Sequence, residues 1–190
     1  MTTIANSLRN QLLIATPTLA EGIFKSSVTY ICEHDEEGAM GVMINRPSDL
    51  IIKDILDDIA AMDNVDFTES PVMLGGPVGV ERGFVLHQTG VKESPWMSTL
   101  QVADDVGLTG SKDILLALGE GSGPENFLMV IGYAGWSAGQ LEQELLDNAW
   151  LTSPATTEIL FNTPYHLRAA KAAEQLGVNL SALATHAGNA

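Results

Sequence analysis

The sequence predicts an α+β fold: a mixed, largely antiparallel sheet with flanking helices. Strand-like runs of period two dominate the first half of the chain, whereas apolar runs followed by helical periodicity dominate the second. No apolar run approaches the roughly 18 residues that a membrane-spanning helix needs. With 190 residues, of which 45% are hydrophobic, the chain can bury one substantial core, and residues 1–190 read as a single domain.

Gln11 to Ala15 is a short strand, and Thr16 to Gly22 a connection into a central hairpin. In that hairpin Val28, Tyr30, Cys32 and His34 share one face of a strand, with Thr29, Ile31 and Glu33 on the other. Asp35-Glu36-Glu37-Gly38 supplies the turn, where Gly38 takes a positive φ without a Cβ clash. Ala39 to Ile44 returns as a buried strand in which Gly41 allows close approach, and Pro47 ends it. Ile51, Ile52, Ile55, Leu56 and Ile59 then line one face of an amphipathic helix, with Asp54, Asp57 and Asp58 turned to solvent.

Val72 to Leu74, stopped by Gly75-Gly76-Pro77, and Gly83 to His87 are two strands expected to pair. After an open segment from Gln88 to Pro95, Thr99 to Val102 adds a strand closed by Asp104-Asp105. A helix runs from Ser111 through Leu118 with Gly119 at its C′ position, and Gly119, Gly121 and Gly123 form a plain turn rather than a phosphate loop. Phe127 to Tyr133 is a buried strand, Ala134-Gly135-Trp136 its corner, and Ser137 with Gln140 the capping box of a helix that buries Leu141, Leu145 and Leu146. Thr157 to Phe161 is a last strand. Thr163 and Pro164 open a helix that Gly177 ends, and the tail from Asn179 to Ala190 frays.

Four motifs, YICEH, GAMGVMINRP, LGGPVGVERGFVLH (Leu74 to His87) and IGYAGWSAGQLEQELLDNAWL (Ile131 to Leu151), together resemble the bacterial AlgH family, also called the YqgE group. The resemblance runs from Gln11 to Gly177. It departs from the family pattern at VMINRP, where LVINRP or LVLNRP is expected, and at Tyr165, where tryptophan is common. It implies a bifurcated sheet folded into a pseudo-barrel and, from the family's name, a regulatory role. It brings no catalytic residue with it.

Composition narrows the partners. Nine basic and 24 acidic side chains give a net charge of −15, a field that repels phosphate backbones, and no basic cluster is interleaved with aromatics. The lone cysteine, Cys32, rules out an intrachain disulfide framework and suits a reducing cytoplasm. The amino terminus has no basic leader before an apolar core.

Cys32 and His34, with His87 as a third ligand, sketch a metal or nucleophile site, but neither CxxC nor HExxH spacing supports it, and no cofactor or metal is expected. Cys32 is read as a buried structural residue. No GxSxG elbow surrounds Ser137, and the aromatics Tyr133 and Trp136 read as packing groups.

The strongest candidate site starts from the arginines, of which there are four: Arg9, Arg46, Arg82 and Arg168. Arg46 and Arg82 stand at strand ends inside the motifs. Either they form structural ion pairs with carboxylates such as Glu33 or Glu81, or His34, Asn45, Arg46, Arg82 and His87 line one polar cleft for an anionic metabolite or a partner's carboxylate. The chain is therefore read as a soluble binding or regulatory protein acting through a protein partner or a small anionic metabolite. The alternative is an enzyme for a small anionic metabolite with a site built from the motif ends. On charge alone the purified protein is expected to show no salt-sensitive binding to duplex DNA at submicromolar concentration in a fluorescence-anisotropy titration.

Overall fold

In the computed structural model, residues 7–59, 66–67, 69–90 and 94–186 are described; residues 1–6, 91–93 and 187–190, parts of the amino terminus, open segment and tail considered above, lie outside them. Ten strands form one curled sheet: β1 (Gln11–Ala15), β2 (Val28–Asp35), β3 (Gly38–Met43), β4 (Pro47–Ile51), β5 (Pro71–Leu74), β6 (Val78–Gln88), β7 (Thr99–Ala103), β8 (Val106–Thr109), β9 (Phe127–Ser137) and β10 (Trp150–Pro154). The main path runs β10-β1-β2-β3-β9-β6-β8-β7, and β4 and β5 branch from β9. All pairings are antiparallel except β5 with β9, which is parallel.

The sheet forks on β9. Ala134 to Ser137 pair with β3 while Val130 and Ile131 pair with β5, and β6 occupies the opposite edge. Two backbone bonds splice the fork: Met43 N–H donates to Gly75 O (2.7 Å) and Gly75 N–H to Ile131 O (2.8 Å). Glycine is required where these backbones meet. A Cβ on Gly76 would lie 2.1 Å from the carbonyl carbon and oxygen of Tyr133, and Gly132 itself sits at φ 68°.

The helices are α1 (Ile52–Leu56), α2 (Lys112–Glu120), α3 (Gln140–Leu146), α4 (Arg168–Glu174) and α5 (Leu180–His186), with a π-helical turn over Glu158–Asn162 and a 3₁₀ turn over Tyr165–Leu167. Because strand side chains alternate, successive residues serve different cores. Leu12, Ile14, Tyr30, Val42 and Ile44 face inward with Ile159, Leu160 and Ala172 of the plug made by the π-turn and α4. Leu13, Ile31, Trp136 and Trp150 face outward beneath Leu141 of α3. Val72, Val85 and Met129 pack under Ile52 and Leu56 of α1 and Ile114 and Leu118 of α2. The architecture is a curled half-barrel with helices on both sides.

Most strands fall where the sequence placed them, and the departures have local causes. β5 and β6 do not pair; β9 runs between them, and the Gly75-Gly76 backbone lies against it instead of turning a hairpin. Ala134 to Trp136 do not form a corner but extend β9 to reach β3. Pro47 begins the edge strand β4, where its missing N–H costs no ladder bond; β4 takes Ile51, and the helix that follows spans only Ile52–Leu56. Thr157 to Phe161 is not a strand. The segment coils as the π-turn, closed when Thr163 N–H and Oγ1 both donate to Glu158 O (2.8 and 3.0 Å), so Thr163 is no N-cap. Asp104-Asp105 turns β7 into β8, and Gly121 (φ 77°), not the buried Gly119, caps α2.

Gly76→Ala is expected to cost about 3 kcal/mol, since backbone must move to admit a methyl group. Gly90→Ala, where nothing lies within 4 Å of the new Cβ, should stay within about 0.5 kcal/mol. Urea unfolding of the two variants checks the contrast.

Candidate functional site

His34 sits near the end of β2 and is buried. Its Nδ1 accepts the Leu8 amide (2.9 Å), which puts the ring proton on Nε2, and Nε2 donates to Glu142 Oε1 on α3 (2.7 Å). Ser7 Oγ donates to the His34 carbonyl (3.0 Å). Both ring nitrogens thus staple the amino-terminal segment and α3 to the hairpin. Glu142 is held below the usual carboxylate range by its own backbone amide and then by His34.

His87, at the far end of β6, is also buried. A chain of hydroxyls reaches it: Ser94 Oγ to Thr99 Oγ1 (3.2 Å), Thr99 to Thr109 Oγ1 (2.6 Å), and Thr109 to His87 Nε2 (2.8 Å). On the other side of the ring, Nδ1 lies 3.4 Å from the Gln88 carbonyl. Burial lowers the pKa of this imidazole, against the pull of the Gln88 carbonyl. Neither Thr99 nor Thr109 is recognisable from sequence as a partner of His87, because the register of β6, β7 and β8 brings them together.

Asn45 clamps the entry to β2. Its Oδ1 accepts Val28 N–H (2.8 Å) and its Nδ2 donates to Ser26 O (2.9 Å), holding Ser26 at a left-handed φ of 58°. Arg46 continues the clamp, with Nη2 donating to Lys25 O (2.8 Å), while its Nε is buried without a partner. Lys25 and Ser26 form part of the wall of a cavity of about 470 Å³ whose other lining, including Ile14, Leu19 and Ala169, is largely apolar. Arg82 is exposed on β6.

The five candidates do not converge. His34 pairs with Ala39, which pairs with Trp136, whereas His87 pairs with Phe127. The nine steps between these β9 positions span about 30 Å at about 3.3 Å per residue. Arg46 and Arg82 flank β9 from opposite edges, since Leu74 N–H bonds to the Arg46 carbonyl and both Leu74 and Gly83 pair with Ile131. The expected ion pairs with Glu33 or Glu81 are also not formed. Neither Arg46 nor Arg82 reaches a carboxylate among the described residues; the Lys–carboxylate pairs there are Lys53–Asp57 and Lys171–Glu174.

The described residues hold no group of three or more His, Cys, Asp or Glu side chains around one point. Cys32 is fully buried with its thiol 3.7 Å from the Tyr30 carbonyl, and burial pushes its pKa far above the usual thiol range. Trp136 and Trp150 pack with Phe24 at 5.7–6.3 Å between ring centroids, and both indoles donate to Glu144 Oε2 (2.9 and 2.8 Å). These aromatics are core.

Residues 12–181 match the family model described as AlgH-like. The chain belongs to the AlgH-like family. A UPF0301 protein of Idiomarina loihiensis is 50% identical over 187 residues, covering 97% of this chain and 100% of that protein. One from Thioalkalivibrio sulfidiphilus is 48% identical over 188 residues, covering 99% and 100%. The solution structure of the AlgH protein from Pseudomonas aeruginosa, 44% identical, superposes over 100% of both chains with a TM-score of 0.77. A crystal structure of a protein from Corynebacterium diphtheriae shares the fold at 17% identity, with a TM-score of 0.72 over 97% of this chain and 94% of that one. No helix among the described residues of this AlgH-like chain is long and apolar enough to cross a membrane.

His87 gives the site a pH signature. Its folded pKa is depressed, so on acidification through about pH 6.5 the unfolded chain takes up a proton that the folded chain refuses. The stability it contributes is present above that pH and lost as pH falls. The urea midpoint of the wild-type protein should therefore drop more between pH 7 and pH 5 than that of H87Q.

Proposed function

We propose that this AlgH-like protein is a single-domain binding protein of regulatory type that takes an anionic metabolite, or a carboxylate of a protein partner, at the corner formed by Lys25, Asn45 and Arg46. One observation carries the reading. In a chain of net charge −15, Arg46 bonds to the main-chain carbonyl of Lys25, which lines a largely apolar cavity, and neither residue pairs with a carboxylate among the described residues. The Arg46 Nε is sealed from solvent without a partner, so an anion would meet the half-buried Nη edge, where a guanidinium matches a carboxylate in geometry as well as charge. Asn45 keeps the corner in place by fixing residues 26 to 28 from both sides.

A binding role without a chemical step is favoured because the histidines already have structural work: His34 bridges Leu8 and Glu142, and His87 is tied to Thr109. The acidic field disfavours operator DNA as the target and points to protein or metabolite partners in the cytoplasm, where a lone buried cysteine stays reduced.

R46Q tests the reading. Loss of the bond to Lys25 O should cost about 1 kcal/mol or less. Succinate should raise the melting temperature of the wild-type protein in a concentration-dependent way and should leave R46Q nearly unmoved. Equal stabilisation of the two proteins would reject the Arg46 corner.

A further inference from the structure

Arg168 opens α4 and is 4% exposed, the most thoroughly buried cation among the described residues. Guanidinium groups taken out of water are ordinarily matched by a carboxylate, because desolvation is otherwise uncompensated. This one is not. Nε donates to Thr163 O (3.0 Å) and Nη1 to Ile44 O, both main-chain carbonyls. Nη2 has no partner among the described residues, and it is not one of the fully sealed, unpartnered atoms. Burial alone lowers the pKa to about 10, with no carboxylate close enough to hold it up, so the group remains a cation at neutral pH.

Beside it lies a cavity of about 360 Å³, within the range of small-molecule sites, that Arg168 lines. Since carbonyls hold Nε and Nη1, the Nη2 edge is the part of the group left to face it. Aromatic walls come from Phe161 on one side and from Phe67 and Phe127, stacked edge-on at 5.8 Å, on another. Its shape comes from the π-turn. That wider coil, a form recurrent at functional sites, presents Phe161 and Asn162 to the cavity before Pro164 redirects the chain. Glu125 is the one carboxylate among the described residues of the lining and is exposed. Neither Asn45 nor Arg46 belongs to the lining, so the cavity is separate from the corner described above.

We propose that this cavity is a second binding site, specific for a small monocarboxylate with an aromatic or aliphatic body, the carboxylate on Nη2 of Arg168 and the body among Phe67, Phe127 and Phe161. Charge selects the class. A single buried cation neutralises a monoanion, whereas a phosphate dianion would bring a second charge with no second cation among the described lining residues to meet it.

The test uses the ¹⁵N-labelled full chain, with phenylacetate and its neutral counterpart phenylacetamide as probes. Phenylacetate is expected to shift the Arg168 Nε–H resonance saturably in the millimolar range and to raise the melting temperature, and phenylacetamide to do neither. R168K, which keeps the charge and loses the fork, should bind phenylacetate about tenfold or more weakly. If R168K does not fold, the acid–amide pair on the wild-type protein decides. Equal binding of the amide, an unmoved Arg168 resonance, full affinity in folded R168K, or inorganic phosphate binding as tightly as phenylacetate would each overturn the proposal.

Discussion

The contact on which the structure depends is the approach of Gly75-Gly76 to the backbone of β9 at Gly132-Tyr133. It lets one strand carry two neighbours in succession along the same edge, β5 and then β3, while β6 stays on the other. A side chain at Gly76 would push β5 outward and break the splice through Met43 N–H and Gly75 N–H. With the fork in place the sheet curls. Its inner surface then receives the π-turn and α4, and its outer surface divides between α3 and the α1–α2 pair.

Arginine plays a consistent part in this acidic molecule. Arg9 bonds to the carbonyls of Gln101 and Val102, Arg46 to that of Lys25, and Arg168 to those of Thr163 and Ile44. Each guanidinium closes a strand end or loop by satisfying carbonyls that no ladder serves. The cation at Arg168 stays available beside a cavity that it lines, and that at Arg46 stands against Lys25, which lines another. Clipping the fold and recognising an anion are compatible tasks for one side chain with five donors.

Local physics was legible in the sequence. Alternation from Val28 to His34, the Gly38 turn and the apolar run at Ala39 define the central hairpin almost to the residue, and Gly41 sits where the Tyr30 carbonyl passes. What depends on distant partners was not legible. The run Ile159-Leu160-Phe161 has strand composition but finds its burial inside the half-barrel, where a coil fits and a strand does not. Trp150 to Pro154 mixes an indole with Thr, Ser and Pro, and becomes a strand only because β1 offers it an edge. The candidate cleft failed for the same reason: motif ends adjacent in chemistry are separated by the length of β9, and Arg168, buried by packing that sequence does not reveal, looked like any other arginine.

The glycine fork also bears on the order in which the molecule assembles. Gly76 and Gly132 are 56 residues apart, so their meeting closes a long loop before any bond rewards it, whereas the β2–β3 and β7–β8 turns close over a few residues. Those hairpins can exist early and alone. Loop length therefore ranks the glycine contact, made by side chains reduced to hydrogen, among the late closures that turn local hairpins into a half-barrel.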